Sequence, residues 1–407
     1  MTRAKLTVAL VGVGGYGQTH LQTLRALEKE NLFELTDVVE PAPERVADCL
    51  RELAAAGVRC HRSWAELEAM DEFPDCVLLP LPIPLHAEYT RRAYQRGAWV
   101  YLEKPPVPLL SELEELMALE KAQPRIQVGF QFFHSLQMQT LQQWIAEGRL
   151  GRIIRYRLAV CRPRSDAYYQ RASWAGRLVH EGRAVLDGPV TNALAHGVQD
   201  IFAIEAAAWG EPATPVEVRA ELYRSRPIES YDVASVLGVF PSGATFSLAL
   251  SHAVAEETPP FFEIEGTLGK ATLSGPGKAL RASFEAEAVV HPEPTMVSAM
   301  RAFFQSVREK RRPLPGLKEC RPFVATTNAM LLAAGTIHDI PAEFVTEVPG
   351  VDGVRRDVRG LAGYSLQAVA DHQTFSETGA PWGHPGGKIA PGCNLAGMMK
   401  GYLAKLS

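Results

Sequence analysis

The chain has 407 residues, of which 46% are hydrophobic and 22% charged, which suffices for two domains with sizeable cores. The formal net charge of −4 does not favour a nucleic acid or an anionic membrane as partner, and no apolar run reaches the length of a transmembrane helix. Arg3 and Lys5 precede a first strand that begins at residue 6, so we expect no signal peptide and a cytoplasmic location.

The cysteines give no indication of a disulfide framework or a metal site. They are scattered at Cys49, Cys60, Cys76, Cys161, Cys320 and Cys393. No pair has the CxxC spacing, and no cysteine–histidine spacing is typical of zinc. We therefore expect reduced thiols and no bound metal.

A glycine-rich turn follows the first apolar run. The segment 6–13 predicts a buried strand that leads into Gly12-x-Gly14-x-x-Gly17. Gly12 permits the tight turn, Gly14 lets backbone approach a phosphate, and Gly17 lets the next helix pack closely on the sheet. Since N–H groups at that helix's N-terminus can hold a pyrophosphate, we expect a dinucleotide-binding loop rather than a glycine turn of an unrelated fold. Its expected residues are Gly12, Val13, Gly14, Gly15, Tyr16 and Gly17.

An acidic residue ends the second apolar run. The strand predicted at 33–40 closes with Glu40, about 20 residues after the glycine loop. A carboxylate at this position accepts hydrogen bonds from ribose hydroxyls and repels a 2′-phosphate. NAD is therefore the expected cofactor in preference to NADP, although Arg45 close by would weaken that preference.

Strands and helices alternate through the first third of the chain, which predicts an α/β fold with a parallel sheet and ligands at the carboxyl ends of its strands. Ser63 and Ser111 are each followed three residues later by glutamate, the pattern of a helix-capping box. The expected strands are 6–13, 33–40, 58–60, 76–79, 99–103 and 126–130.

The middle of the chain predicts a mostly antiparallel sheet with one covered face. Its expected strands are 152–160, 216–223, 234–240 and 245–251, with helices near 135–147, 296–309 and 319–334. The end of the chain is rich in glycine and proline and predicts an extension that packs on the body or on a neighbouring subunit. The expected domains are 1–125 for the dinucleotide, 126–345 for substrate and oligomerisation, and 346–407 for the extension.

Two further motifs carry a family resemblance. The segment Pro82-Ile-Pro-Leu-His86 follows the fourth predicted strand, and Glu103-Lys104-Pro105 follows the fifth. With the glycine loop, and with the segments 128–131, 145–153 and 262–270, the sequence resembles the glucose–fructose oxidoreductase/inositol dehydrogenase (Gfo/Idh/MocA) family.

The resemblance implies a Rossmann domain followed by an α+β domain with a large open sheet. It also implies an NAD-dependent oxidoreductase that acts on a CH–OH group of a sugar, polyol or sugar acid. A homodimer or homotetramer formed through the sheet is the expected assembly.

Lys104 is the first candidate catalytic residue. It is predicted at the carboxyl end of a strand, where a lysine flanked by Glu103 can act on an alcohol or carbonyl oxygen while hydride moves. A surface lysine paired with Glu103 is the alternative. Leu81, His86, Glu103 and Lys104 are expected to line the cofactor site, although His86 fits equally well as a residue that caps or packs the following helix.

A second candidate group lies in the segment 187–204. A helix is predicted from about residue 189, so that Asn192, His196 and Asp200 share one stripe. The resemblance implies an Asp-x-x-x-His pair that faces the nicotinamide, in which His196 matches the histidine and Asn192 replaces the aspartate. Because an amide cannot take a proton, proton transfer would fall to His196, Lys104 or Asp187. Because of this exchange, two alternatives remain: a non-redox enzyme of this fold and a non-catalytic regulator of this fold.

An arginine-rich stretch gives an indication of the charge of the substrate. Residues 149–183 contain nine arginines and two acidic residues. Either these arginines pair with acids elsewhere, or some of them, such as Arg164 and Arg177 beside Trp174, hold a carboxylate or phosphate. His134 occupies a position at which many members of the family carry a substrate-binding arginine. The expected substrate is therefore polyhydroxylated and either neutral or anionic.

Overall fold

The computed structural model describes residues 5–274, 279–392 and 394–406. The chain forms two compact units. Unit 1 comprises Met1–Val107, Ser111–Ser135 and Pro292–Cys320, and unit 2 comprises Pro108–Leu110, Leu136–His291 and Arg321–Ser407.

These units differ from the predicted boundaries at residues 125 and 345. The strand Ile126–Val128 completes the sheet of unit 1, and a helix at Thr295–Glu309 packs on the same core, so both segments belong with the N-terminal part. The C-terminal extension is not a separate body either, because it belongs to unit 2.

The regular elements alternate along the chain. The strands are β1 (Leu6–Val11), β2 (Phe33–Val39), β3 (Arg59–His61), β4 (Cys76–Leu79), β5 (Trp99–Leu102), β6 (Ile126–Val128), β7 (Ile153–Cys161), β8 (Val179–His180), β9 (Arg183–Ala184), β10 (Glu217–Arg224), β11 (Val233–Val239), β12 (Thr245–Ser251), β13 (Phe261–Gly266), β14 (Lys270–Ser274), β15 (Ala279–Ala282), β16 (Glu285–Val289), β17 (Ile337–Asp339), β18 (Val345–Gly350), β19 (Gly353–Val358) and β20 (Lys388–Ile389). The helices are α1 (Gly17–Leu27), α2 (Ala47–Ala55), α3 (Trp64–Glu68), α4 (His86–Gln95), α5 (Leu110–Leu119), α6 (Leu136–Ala146), α7 (Asp166–Gln170), α8 (Ala195–Trp209), α9 (Thr295–Glu309), α10 (Leu317–Ala334), α11 (Leu361–Asp371) and α12 (Leu395–Leu403). In the part of the chain that the structure describes, none of these helices has both the length and the apolarity needed to cross a bilayer.

Unit 1 contains a six-stranded parallel sheet of order β3-β2-β1-β4-β5-β6. This is the strand order of a doubly wound dinucleotide-binding fold, and all six predicted strands are present. Helix α9 contributes to its core, where Phe304 stacks on Phe33 with ring centroids 4.4 Å apart. The prediction of a parallel α/β domain is confirmed.

One of the two predicted helix caps is present. The Ser63 side chain accepts a hydrogen bond from the Glu66 N–H at the start of α3. The cap predicted at Ser111 is wrong, because α5 already begins at Leu110. There the Asn328 amide oxygen accepts from the Leu110 N–H at 2.9 Å, so a side chain distant in sequence replaces the local cap.

Unit 2 contains a ten-stranded mixed sheet of order β16-β15-β14-β13-β7-β12-β11-β10-β17, with β20 paired to β10. Most pairs are antiparallel, as predicted, but β7–β12 and β10–β17 are parallel. Helix α8 packs on one face: a Cβ at Gly197 would lie 3.0 Å from Leu158 of β7, and Tyr156 donates to Glu205 at 2.7 Å. Glycine at 197 therefore permits the close approach of α8 to the sheet.

The prediction that only one face of this sheet is covered is wrong. Residues 361–384, here called the covering segment, pack on the opposite face through α11 and the buried Trp382. The Trp382 ring lies 5.0 Å from that of Tyr223, and Glu221 accepts from the Ser376 N–H at 3.0 Å. The extension thus packs on its own chain, which was one of the two predicted alternatives.

The cysteines of the described residues are free thiols, as expected. They are Cys49, Cys60, Cys76, Cys161 and Cys320. Cys393 lies outside the described residues.

Candidate active site

The glycine loop of unit 1 has the geometry that its sequence predicts. Gly12 and Gly15 adopt left-handed φ angles of 96° and 53°. A Cβ at Gly17 would lie 2.0 Å from the Gly12 carbonyl oxygen, so only glycine allows α1 to begin there. At Gly14 a Cβ would meet no protein atom closer than 3.7 Å. Packing within the chain therefore does not explain Gly14, whereas close approach of a ligand does.

Glu40 is bound to the glycine loop. Its Oε2 accepts from the N–H groups of Val13 and Gly14, each at 3.0 Å, and its Oε1 accepts from the Ala42 N–H at 3.0 Å. The carboxylate is buried at the end of β2. A carboxylate offers about four acceptor sites, so three N–H partners leave room for a ribose hydroxyl. Glu40 thus has a structural function, ordering the loop, that the sequence analysis did not predict.

The residues at the start of α1 fit the diphosphate of a dinucleotide. The backbone N–H groups of Gly15 and Tyr16 make no hydrogen bond within the described ranges, and they precede the first turn of the helix. Gln18 orders the same loop by donating from Nε2 to the Val13 carbonyl at 2.7 Å. Open N–H donors and the helix dipole both favour an anion at this position.

Lys104 follows β5, and its backbone is fixed by a buried carboxylate. Glu103 Oε2 accepts from the Lys104 N–H at 3.1 Å, and Glu103 Oε1 accepts from His20 Nε2 at 2.9 Å. His20 is fully buried and Glu103 nearly so. The alternative of a surface pair between Lys104 and Glu103 does not match this burial. His20 was not predicted as a site residue, although its position three residues after Gly17 places it one turn into α1.

His86 connects two backbone segments of unit 1. Its Nδ1 lies 2.8 Å from the Pro105 carbonyl oxygen, and its Nε2 lies 2.8 Å from the carbonyl oxygen of Leu81. Burial lowers the pKa of His86, which the two carbonyls partly oppose. Both ring nitrogens therefore contact backbone, and His86 supports the Lys104–Pro105 segment, which is close to the packing role given as its alternative. Leu81, also predicted to line the cofactor site, contacts His86 through its backbone carbonyl.

In unit 2, the backbone around Asp187 is unusual. Leu186 has a left-handed φ of 52°, although it is not a glycine, and Pro189–Ala193 form a π-helix. Gly188 accommodates the Tyr231 ring, since a Cβ would lie 2.4 Å from it. Left-handed non-glycine residues and π-helical turns are both concentrated at functional sites.

Asp187 is a buried carboxylate that contacts Asn192. Its Oδ1 accepts from Asn192 Nδ2 at 2.8 Å, and its Oδ2 accepts from the Gly176 N–H at 2.7 Å. Arg171 Nη2 lies 3.7 Å from Oδ2, beyond hydrogen-bond distance. Asp187, one of the residues left open for proton transfer, is therefore a direct neighbour of Asn192.

The predicted polar stripe is interrupted. The predicted helix from residue 189 is a π-helix up to Ala193, and α8 starts only at Ala195. Asn192 therefore does not share the α-helical face of His196 and Asp200. His196 is half-buried in the first turn of α8, and Asp200, one turn later, is buried.

The four predicted substrate residues fall in different places. The Arg171 guanidinium carbon lies 4.8 Å from the centre of the Trp174 ring and 3.8 Å from that of Tyr168, which Arg164 also contacts. Arg177 lines a separate cavity of about 410 Å³ together with Arg226 and Asp166. His134 lies in unit 1, where the Leu314 carbonyl accepts from its Nε2 at 2.6 Å and burial lowers its pKa. Arg164 and Trp174 are thus connected through Arg171 and Tyr168, neither of which was predicted.

Most of the other arginines in the stretch are paired with acids, as one of the two alternatives predicted. The pairs are Arg149–Glu285, Arg155–Glu265, Arg157–Glu263 and Arg162–Glu257. Among the residues that the structure describes, no group of three or more histidine, cysteine, aspartate or glutamate side chains is arranged to hold a metal ion.

The strand order of unit 1, its glycine loop and Glu40 define a dinucleotide-binding protein of the Rossmann type. Residues 6–130 match the model of an oxidoreductase family with an NAD-binding Rossmann fold, and residues 138–272 match the C-terminal domain of the same family. The chain belongs to the Gfo/Idh/MocA oxidoreductase family.

Characterised relatives match only part of this chain. A dTDP-3,4-didehydro-2,6-dideoxy-alpha-D-glucose 3-reductase from Actinomadura kijaniata is 27% identical over 165 residues, which are 40% of this chain and 48% of that protein. An inositol 2-dehydrogenase from Streptomyces avermitilis is 30% identical over 154 residues, 36% of this chain and 42% of that protein. The chain thus spans about half the length of these relatives.

Solved structures resemble the chain over a larger part. The WlbA dehydrogenase from Bordetella pertussis, in complex with NADH and UDP-GlcNAcA, has a TM-score of 0.67 at 21% identity, with 81% of this chain and 97% of that chain covered. Levoglucosan dehydrogenase in complex with NADH has a TM-score of 0.69 at 19% identity, with the same coverage. At these identities the likeness shows a common fold.

Proposed function

We propose that this chain is an NAD-dependent oxidoreductase that transfers hydride to or from a secondary alcohol or ketone of a sugar, polyol or sugar acid. The observation that carries the proposal is the glycine loop, in which the N–H groups of Gly15 and Tyr16 and the carboxylate of Glu40 fit a diphosphate and an unphosphorylated ribose. The names of the relatives, which are sugar or inositol oxidoreductases, support the substrate class.

We propose a separate role for each candidate catalytic residue. Bound NAD would supply the hydride acceptor or donor. Lys104, fixed through Glu103, would stabilise charge on the reacting oxygen. His196 would accept the alcohol proton, because an amide such as Asn192 cannot. Asn192, oriented by Asp187, would hold the substrate hydroxyl through its amide oxygen.

Two further functions of the same fold differ from this proposal in a measurable way. A non-redox enzyme that uses tightly held NAD transiently, and a regulator that binds the nucleotide without turnover, would both bind NAD. Neither would produce net reduced cofactor from an alcohol. Both functions remain alternatives because Asn192 occupies the position of a group that could take a proton, and an amide cannot.

The test is a screen of polyols, sugar acids and amino sugars for absorbance change at the reduced-nicotinamide band, with NAD and with NADP. We expect turnover with NAD on at least one of them. In the Lys104→Ala variant turnover should be lost while NAD affinity stays within about tenfold, because the lysine acts on the reacting oxygen. Tight NAD binding without turnover on any compound would favour the non-redox enzyme or the regulator.

We also propose a cytoplasmic location and a homodimer or homotetramer. Free thiols in the described part of the chain support the location. The covering segment occupies part of one face of the ten-stranded sheet, so association would use other surfaces of unit 2. Light scattering coupled to size-exclusion chromatography measures the number of copies.

A further inference from the structure

A cluster of two arginines and two aromatic rings lies next to Asp187 in unit 2. Tyr168 is on α7, and the guanidinium carbons of Arg164 and Arg171 lie 4.6 Å and 3.8 Å from its ring centre. Arg171 also contacts the Trp174 ring at 4.8 Å. Distances of this size place both cations within the range of cation–π attraction. Arg164, Tyr168, Arg171 and Trp174 are called the arginine–aromatic cluster below.

Within the described residues only one of the two cations of this cluster has an acidic partner: Arg171 forms a long ion pair with Asp187 and donates from Nη1 to the Tyr168 carbonyl at 2.6 Å. Within the described ranges, Arg164 forms no ion pair, and its buried Nε makes no hydrogen bond. Arg171 lies 3.7 Å from Asp187 Oδ2, too far for a hydrogen bond. Two arginines thus face one nearby carboxylate. This contrasts with Arg149, Arg155, Arg157 and Arg162, each of which pairs with a glutamate.

Arg171 is exposed, but the buried Nε of Arg164 is a donor whose lack of an acceptor is costly unless a ligand supplies one. The Arg164 Nε is inaccessible to solvent, and Tyr168 is only partly exposed. A buried guanidinium donor without an acceptor costs free energy, which an anion recovers through charge-assisted hydrogen bonds. The planar fork of arginine fits the two oxygens of a carboxylate or phosphate, and stacking on Tyr168 and Trp174 holds the guanidinium groups in place.

We infer that the arginine–aromatic cluster binds the acidic group of the substrate, so that the substrate is a sugar derivative that carries a carboxylate or a phosphate. The inference rests on the proposed function for the reaction at the sugar hydroxyl. It goes further by naming the charge of the substrate and by assigning Arg164 and Arg171 as the residues that select it. Asp187 connects the cluster to Asn192.

Equilibrium binding tests this inference without requiring turnover. Calorimetric titration of the NADH-loaded protein with D-glucuronate, glucose 1-phosphate and D-glucose compares a carboxylate, a phosphate and a neutral sugar. We expect one of the two anions to bind at least about tenfold more tightly than D-glucose, because a charge-assisted hydrogen bond is worth about one factor of ten or more. The preferred anion identifies the acidic group.

Matched variants assign the effect to the cluster. Arg164→Gln and Arg171→Gln should each weaken binding of the preferred anion by about tenfold or more, and leave D-glucose unchanged. Arg152→Gln makes the same charge change at an exposed arginine outside the cluster and should have no effect. Arg164→Lys and Arg171→Lys keep the charge and should weaken binding less, and thermal melting of every variant separates loss of binding from loss of fold.

Equal affinity for the three sugars, or equal effects of Arg164→Gln and Arg152→Gln, would overturn the inference. Failure of the proposed function gives a different result. In that case the anion would still bind, and the variants at Arg164 and Arg171 would still weaken its binding. No compound of the substrate screen, however, would change the absorbance of the nicotinamide.

Discussion

Asp187 Oδ1 accepts a hydrogen bond of 2.8 Å from Asn192 Nδ2, and both side chains are buried. Because a carboxylate can only accept, this contact fixes the orientation of the amide, with Nδ2 toward Asp187 and Oδ1 pointing away. The chain therefore contains a carboxylate next to the position at which the family resemblance predicts one, contributed by a neighbouring residue.

This pair reverses an expectation from sequence. With the family pattern alone, Asn192→Asp should keep or raise activity. In the structure, the exchange sets two carboxylates in contact, which strongly raises the pKa of one of them. Relative to the parent at the same pH, we expect turnover of Asn192→Asp to be lower on the order of tenfold at neutral pH and to recover toward about pH 5, where the pair holds a proton. Steady-state rates across this pH range measure the effect.

The double variant Asp187→Asn/Asn192→Asp is the control for that prediction. It exchanges the two groups and restores one donor opposite one acceptor, so its turnover should exceed that of Asn192→Asp alone. Full activity of Asn192→Asp at neutral pH would show that the contact between residues 187 and 192 has no catalytic importance.

His196 provides a second prediction. If its imidazole accepts the proton, the rate should fall toward acidic pH, where the protonated ring can no longer act as acceptor. His196→Asn should lose that acidic limb together with most of the turnover. His338→Asn, which changes another half-buried imidazole, should leave the limb in place. An intact limb in His196→Asn would transfer the role to Lys104 or Asp187.

Glu40 has two functions that different substitutions separate. Glu40→Ala removes the acceptors of the Val13 and Gly14 N–H groups and should weaken binding of both NAD and NADP by about 1–3 kcal/mol. Glu40→Gln keeps an acceptor oxygen but removes the charge, so NADP should gain affinity while NAD stays within about tenfold. Titration with both cofactors measures this, and Glu44→Gln is the exposed control nearby. Tighter NADP binding in the unmodified protein would contradict the assignment.

His20 should influence the reaction through Lys104, and its ring also packs edge-on against Tyr16 of the glycine loop, with ring centroids 5.7 Å apart. His20→Leu removes the donor to Glu103 Oε1, so the carboxylate that fixes the Lys104 backbone loses a partner. We expect kcat to fall on the order of tenfold with little change in NAD affinity, since the effect is on the chemical step. His20→Gln restores a donor and should recover part of the rate. A change in NAD affinity alone, without rescue, would indicate a purely structural role.

Glu120 should make stability depend on pH. Burial raises the pKa of Glu120 to about 7, above its unfolded value of 4.5, so its ionised form is disfavoured in the folded state. The stabilisation is fully present below the unfolded pKa and is lost as the pH rises toward about 7. Glu120→Gln stays neutral and can still accept from the N–H groups of Arg125 and Ile126. Its Tm should exceed that of the parent near pH 8 and equal it near pH 4; a lower Tm at both would contradict this.

Local patterns predicted unit 1 well. Its strands are short apolar runs, and its glycines have geometric reasons that can be recognised in isolation, such as the contact of Gly17 with the Gly12 carbonyl. The sequence also predicted Lys104 at the end of β5. These features depend on a few consecutive residues, so periodicity and motif spacing suffice to find them.

Features that depend on distant residues were not predictable in this way. The prediction of a cap at Ser111 was wrong because Asn328 accepts from the first N–H group of the helix. The prediction of an uncovered sheet face was wrong because Trp382 packs on Tyr223. The prediction of one α-helical stripe through Asn192 was wrong because the local chain forms a π-helix that ends at Ala193. In each case tertiary contact overrides the local preference.

The left-handed backbone at Leu186 limits which amino acids are tolerated at position 186. A non-glycine residue in that conformation costs about 1–3 kcal/mol, whereas burial of a leucine side chain contributes about 1.5–3 kcal/mol. Glycine would relieve the strain but lose the packing, and a β-branched residue would keep the packing but increase the strain. Neither substitution improves both the backbone strain and the packing of the side chain. Selection for stability alone would therefore be enough to restrict substitutions at this turn.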